Sequence, residues 1–226
     1  GTIDCCHNAM KSGVALNVAG GTHHAFSDRG EGFCLLNDMA IASNYLIANQ
    51  LAERIVIIDL DVHQGNGTAK IFENNKNVFT FSMHGAANYP FHKEKSNLDI
   101  GLKDGTDDAT YLKSLAENLK RIINDVQPDF AFYLSGVDIL STDKFGKLRM
   151  RLKLKSSSND ILAFTEVLAP SWAIFNIFPL KAKGRMNKIT KITAIPMPMR
   201  FNHFFIERIF YYEGSKILFP PQCQIQ

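Results

Sequence analysis

Arg54-Ile55-Val56-Ile57-Ile58-Asp59-Leu60-Asp61-Val62-His63-Gln64-Gly65-Asn66-Gly67 is the stretch from which the rest of the chain can be read. Its first part is an apolar, β-branched run, the pattern of a strand buried on both faces. Three side chains able to bind a metal follow at alternate positions: Asp59, Asp61 and His63. On extended backbone, residues two apart share a face, so the spacing predicts all three on one side of the strand end. Gly65 and Gly67 predict a tight turn. Sites in open α/β sheets form beyond the carboxyl ends of strands, and carboxylates beside an imidazole suit a divalent cation. A polar loop capped by an aspartate accounts for this stretch equally well on its own, so the flanking sequence must decide.

The chain has 226 residues, enough for one sizeable domain with or without a tail. With 46% hydrophobic and 21% charged residues it has the composition of a folded globular protein. The net charge of +3 hides an asymmetry: residues 1–146 carry 12 Lys/Arg against 18 Asp/Glu, and residues 147–226 carry 13 against 4. Cys5, Cys6, Cys34 and Cys223 show no C-x-x-C spacing, which fits a reduced, intracellular compartment, cytoplasmic or nuclear. No apolar run reaches the roughly 18 residues of a membrane span, and no membrane partner is expected. No basic-then-apolar leader is visible. The chain opens at Gly1 inside what already reads as structure, and is expected to begin partway into a longer parent.

Asp4 to Val18 reads as a helix with Asp4 as its N-cap, stopped by Gly20-Gly21. Thr22-His23-His24-Ala25-Phe26 is then a loop with tandem histidines. A surface position or a satisfied core imidazole explains one histidine, and two in tandem lean towards a site. Asp28-Arg29-Gly30-Glu31-Gly32-Phe33-Cys34 is a glycine-punctuated turn. Helices are predicted at about Asn37–Glu53, Thr68–Asn74 and Asp107–Val126, and strands at 54–60, Asn77–Met83 and Asp129–Ser135. Residues 85–106, with Asn88-Tyr89-Pro90-Phe91, read as one long polar connection. The alternation predicts an α/β fold, a parallel sheet with helices on both faces. Three strand ends then carry polar chemistry: Asp59 to His63, Ser82 to His84, and Asp138. Beyond Gly146 the pattern breaks. Arg149–Lys155 alternates like a basic strand, 161–178 is apolar, and 181–226 has no sustained period.

Gly20-Gly21-Thr22-His23-His24-Ala25, Gly32-Phe33-Cys34-Leu35-Leu36-Asn37-Asp38, the Asp59–Gly67 stretch, Ser82-Met83-His84 and Ser135-Gly136-Val137-Asp138 stand in an order that resembles the zinc-dependent histone deacetylases and their bacterial acetyl-amine hydrolase relatives. Gln64 and Asn66 bring it nearest to the class IV and bacterial members. The resemblance covers roughly residues 1–148. It implies an arginase/deacetylase-like fold and one zinc per chain on Asp61, His63 and Asp138. It implies a catalytic pair in His23 and His24, and support of His24 by Asn66, a neutral amide where some members have an Asp. Asp59 would buttress His23 and, with Ser82 nearby, help hold a structural potassium. Gly32 and Phe33 would wall a tunnel for an acetyl-lysine chain. The implied substrate is an acetylated lysine on a protein or a small acetylated amine.

The chain departs from this family in two places. It has no Gly-Gly-Gly-Tyr segment, whose Tyr donates to the substrate carbonyl in the family, and Tyr211 and Tyr212 follow no glycine run. The family pattern stops after Leu148, and the amino-terminal strand is missing. Residues 1–148 are thus expected to be the central part of a deacetylase-like catalytic domain, an incomplete fold, and 149–226 a divergent basic tail. The strand at 129–135 is expected to have an unpaired edge. Three other readings compete: a manganese ureohydrolase of the same fold, a chain that binds metal or acyl-lysine without turnover, and a tail that binds nucleic acid. The last has no recognised motif, and direct nucleic-acid binding is not expected.

Overall fold

Ile55–Asp59 (β2) is the centre of the sheet because its side chains are buried in both directions. Ile55 and Ile57 face one core with Phe130 and Phe132, and Val56 faces another with Ala131 and Tyr133. In this computed structural model, the described residues are 1–151, 174–179, 211–213 and 216–218. The remaining strands are Ala15–Asn17 (β1), Val78–Gly85 (β3), Leu98–Leu102 (β4), Phe130–Leu134 (β5) and Ile174–Pro179 (β6). Tyr211–Glu213 (β7) and Lys216–Leu218 (β8) form a separate antiparallel pair. The main sheet runs β1-β6-β5-β2-β3-β4. Its middle, β5-β2-β3-β4, is parallel, as expected, and β6 lies antiparallel to both β5 and β1.

Helices cover both faces. Thr2–Ser12 (α1), Asp38–Ala48 (α2) and Asn66–Ile71 (α3) close the first core, and Asp108–Val126 (α4) closes the second through Tyr111, Leu115 and Ile122. Asp107 caps α4 by accepting from the Thr110 backbone N–H at 3.0 Å, and Gln127, in the left-handed region, ends it before Pro128.

Four local expectations change. The first helix ends at Ser12 and not Val18: Gly13 takes φ 90° and its N–H returns to the Ala9 carbonyl, so the next residues are free to form β1. Its N-cap is Gly1, and Asp4 sits in the first turn. The connection 85–106 contains β4, an edge strand whose Asp99 and Gly101 hide its alternation. The 129–135 edge is not bare, because β6 pairs along it with Phe130 opposite Pro179 and Phe132 opposite Ile177. That strand lies within and just past the apolar stretch 161–178. Most of the predicted 149–155 strand and nearly all of 181–226 lie outside the described residues.

Candidate active site

The chain runs from β2 outward to β3 and β4, then returns to β5 on the other side of β2. Such a reversal opens a crevice at the carboxyl ends of the strands. Asp59, the last residue of β2, lies in register with Ser82 on β3 and Leu134 on β5. The strand does not continue through His63 as the spacing suggested. Asp59 Oδ1 accepts from the Asp61 N–H at 3.1 Å, and Asp61 Oδ1 accepts from the His63 N–H at 2.8 Å. These carboxylates compete with the sheet for backbone donors and wind the segment into two successive turns.

The turns bring together Asp61, His63 and Asp138, the last on a 3-10 turn (Val137–Ile139) after β5. One ligand-type atom of each lies within 4.8 Å of the others. His63 Nδ1 stands 3.0 Å from both Asp61 Oδ1 and Asp138 Oδ2. Asp138 Oδ1 accepts from the Val62 N–H at 3.0 Å, which ties β5 to the β2 loop. Burial opposes charge on His63, but Asp138 and Asp61 outweigh it and raise its pKa to about 10. Burial, with the charge of Asp61, raises Asp138 to about 6. Asp61 is held low against its burial by His23 and His63. Two carboxylates around one imidazole call for a positive charge. A divalent cation, with His63 deprotonated, satisfies that demand, so this donor set fits a metal.

The histidine loop is fastened from α2. Asp38 Oδ1 accepts from the Gly21 and Thr22 N–H groups, both at 3.0 Å, and from the Thr22 hydroxyl at 2.9 Å. Asn37 caps α2 through its Oδ1 while its amide N donates to the Ala25 carbonyl and to Thr68 Oγ1. Gly67 packs against the backbone of His24 and Ala25, leaving no room for a Cβ, so its role is close approach more than turning. Thus held, His23 Nδ1 meets Asp59 Oδ2 at 2.6 Å and His24 Nδ1 meets Asn66 Oδ1 at 2.7 Å, with ring centroids 4.1 Å apart. The two rings diverge electrostatically. Burial would keep His23 neutral, but Asp59, Asp61 and Asp138 raise it to about 9. Burial and the neighbouring His23 lower His24 to about 4. Opposite shifts on paired groups give one cationic donor and one neutral base.

Two neighbours of the pair were not singled out in the sequence. Glu31 Oε1 accepts from the Asn66 amide at 2.7 Å and from the Tyr89 hydroxyl at 2.7 Å. The Tyr89 ring stands edge-on to His24, centroids 5.1 Å apart, and to His63 at 6.5 Å. Gly32, with φ 54°, lies under the His24 ring where a Cβ would collide, and Phe33 beside it is fully exposed. Ser82 is buried with its hydroxyl 2.9 Å from His84 Nδ1. No helix among the described residues is long and apolar enough to cross a membrane.

A parallel α/β sheet with flanking helices and candidate metal ligands at the ends of β2 and β5 defines the class, an arginase/deacetylase-like fold. The histone deacetylase domain model matches residues 1–170, and the chain belongs to that family. An uncharacterized protein of Picosynechococcus sp. is 52% identical over 150 residues, covering 66% of this chain and 50% of that protein. Histone deacetylase 2 of Arabidopsis thaliana is 33% identical over 153 residues, covering 66% and 40%. The acetoin utilization protein AcuC of Staphylococcus aureus is 34% identical over 178 residues, covering 72% and 45%. Among solved structures, an HDAC homolog from Aquifex aeolicus superposes with TM-score 0.60 at 29% identity, covering 66% of this chain and 43% of that one. An HDAC homolog complexed with SAHA gives 0.61, with the same identity and coverage. The chain spans about half the length, or less, of these relatives.

Proposed function

We propose that this crevice hydrolyses an N-acetyl amide with one zinc ion held by Asp61, His63 and Asp138. The substrate is an acetylated lysine of a protein or a small acetylated amine. One observation carries the reading: the three ligand-type residues converge within 4.8 Å beside two histidines that have separate partners. Bound zinc would supply Lewis acidity, acidifying a water and polarising the amide carbonyl. His24 is neutral, and its Nδ1 is occupied by Asn66, so Nε2 remains to take a proton and return it to the leaving amine. His23, fixed through Nδ1 by Asp59, supplies an oriented hydrogen-bond donor for the developing negative charge. Gly32 and Phe33 border the path of the acyl-lysine chain. Asp59 and Ser82, adjacent on β2 and β3, are the residues this reading gives to a structural potassium. Likeness to an HDAC homolog solved with SAHA supports an acetyl-lysine-like substrate.

A second reading, in which the chain binds metal or acyl-lysine with impaired turnover, is favoured by two observations. The sequence has no Gly-Gly-Gly-Tyr segment, and the Tyr89 hydroxyl beside the site is committed to Glu31. A binuclear manganese centre is not supported, because the described residues form a single three-ligand cluster. Changing both His23 and His24 to Ala tests the division of roles. Zinc should remain bound at about one per chain while acetate release disappears. Loss of zinc from that variant would make the pair ligands and overturn the assignment.

A further inference from the structure

An amide can support a histidine in two ways, and they have opposite consequences. If its oxygen faces the ring nitrogen, that nitrogen carries the proton. If its NH₂ faces the ring, the proton is driven to the far nitrogen. For His24 the first arrangement leaves Nε2 as a lone pair able to accept a proton, and the second blocks it. Asn66 cannot choose between them by itself. A carboxylate in its place would only accept, and would need no such choice.

The choice is made at the other end of the amide. Asn66 Nδ2 points to Glu31 Oε1 at 2.7 Å, and an ionised carboxylate only accepts. Glu31 is itself fixed from two further sides. The Tyr89 hydroxyl donates to the same oxygen at 2.7 Å, and Arg29 Nε stands 3.4 Å from the other. The Arg29 guanidinium in turn stacks on the Phe26 ring at 3.7 Å, in the loop that follows the histidines. The Tyr89 bond, then the Asn66 and Arg29 contacts, hold Glu31 below the usual carboxylate range in spite of partial burial, so it stays an acceptor. The chain His24–Asn66–Glu31 therefore runs donor to acceptor in one direction only.

We propose that Glu31 is a positioning residue: by anchoring the Asn66 amide it fixes His24 as the Nδ1–H tautomer and leaves Nε2 as the unprotonated nitrogen of a ring whose centroid stands 6.1 Å from that of His63. It acts through Asn66 and touches no reacting atom. Its use in proton transfer rests on the hydrolytic reading above, but the tautomer does not, because it can be observed in a chain that turns nothing over. Glu31 thereby does at one remove what an Asp at position 66 would do directly.

The test uses the full 226-residue chain, labelled with ¹⁵N on histidine, without added metal. Long-range ¹H–¹⁵N spectra report which ring nitrogen is protonated, and a His24→Gln variant identifies the signals. The wild-type chain should show His24 mainly as Nδ1–H. Glu31→Ala should reduce the ratio of Nδ1–H to Nε2–H at least tenfold. Glu31→Gln, which keeps the shape but can turn its own amide either way, should produce a measurable Nε2–H population with the melting midpoint little changed. Adding Asn66→Asp to Glu31→Gln should restore Nδ1–H, since the new carboxylate can only accept. A tautomer ratio unchanged in Glu31→Gln and Glu31→Ala would overturn the proposal, as would failure of Asn66→Asp to restore it. Absence of acetate release from the zinc-loaded wild type would count against the hydrolytic reading and leave the tautomer result standing.

Discussion

Asp138 is the residue whose removal reads most directly on the candidate metal triad. It reaches His63 from a different strand end than Asp61, and it also anchors the Val62 backbone. Asp138→Ala leaves one carboxylate and one imidazole, and tight zinc binding should be lost. Equal zinc content in variant and wild type, measured on the purified chains, would remove Asp138 from the site. A second residue, His84, makes a pH prediction. Burial, opposed by Asp99 and reinforced by Lys93, lowers its pKa from 6.5 to about 4. Below pH 6.5 the unfolded chain takes up this proton and the folded chain does not until about pH 4, so stability falls as pH drops through that window. The full effect is on the order of 3 kcal/mol. His84→Gln should make the fall in melting temperature between pH 6.5 and 4 shallower than in the wild type, and parallel wild-type and variant curves would contradict it. Asp59, Asp61, His63, His23, His24 and Asp138 could be picked out from the sequence because alternation, tandem placement and motif order all mark them. Glu31 and Tyr89 could not: they meet Asn66 and His24 only after two separate loops close over the sheet end.

Among the elements, β2, β3 and β5 were legible because strands buried on both faces must be continuously apolar. The amphipathic stripe and Asp107 cap made α4 equally plain. The elements missed are those whose form depends on a partner. β4 is a half-exposed edge strand, and β1 exists because Gly13 ends α1 and β6 offers a ladder. Position in the sheet gives β6 a measurable role. It bonds to β1 on one side and β5 on the other, with Ile177 opposite both Ala15 and Phe132. Proline there removes a ladder donor from an interior strand. Ile177→Pro should cost about 2 kcal/mol or more and lower the melting midpoint by at least about 4 °C. An unchanged midpoint would mean that β6 does not complete the sheet, and that the β5 edge is open to pairing with another chain.

As a whole, the chain is uneven in charge: residues 1–146 are net acidic, and the net basic residues 147–226 include β6 of the same sheet. The family's fold is recognisable over the span that holds every candidate site residue, although the chain covers only about half the length of its relatives. What this span lacks is a tyrosine presented by a glycine run, the donor that the resemblance places opposite the metal. Losing one donor of that kind costs roughly 10²–10³ in turnover and leaves the remaining machinery in place. The most direct measurement is acetate release from an acetyl-lysine peptide by the zinc-loaded 226-residue chain, with a thermal melt of the same preparation. Zinc-dependent release should be about 10²–10³-fold slower than from a relative with the Gly-Gly-Gly-Tyr segment, and should be lost in the His23→Ala/His24→Ala variant. Release that survives in that variant, or no release at any zinc concentration from a chain that melts cooperatively, would contradict that expectation.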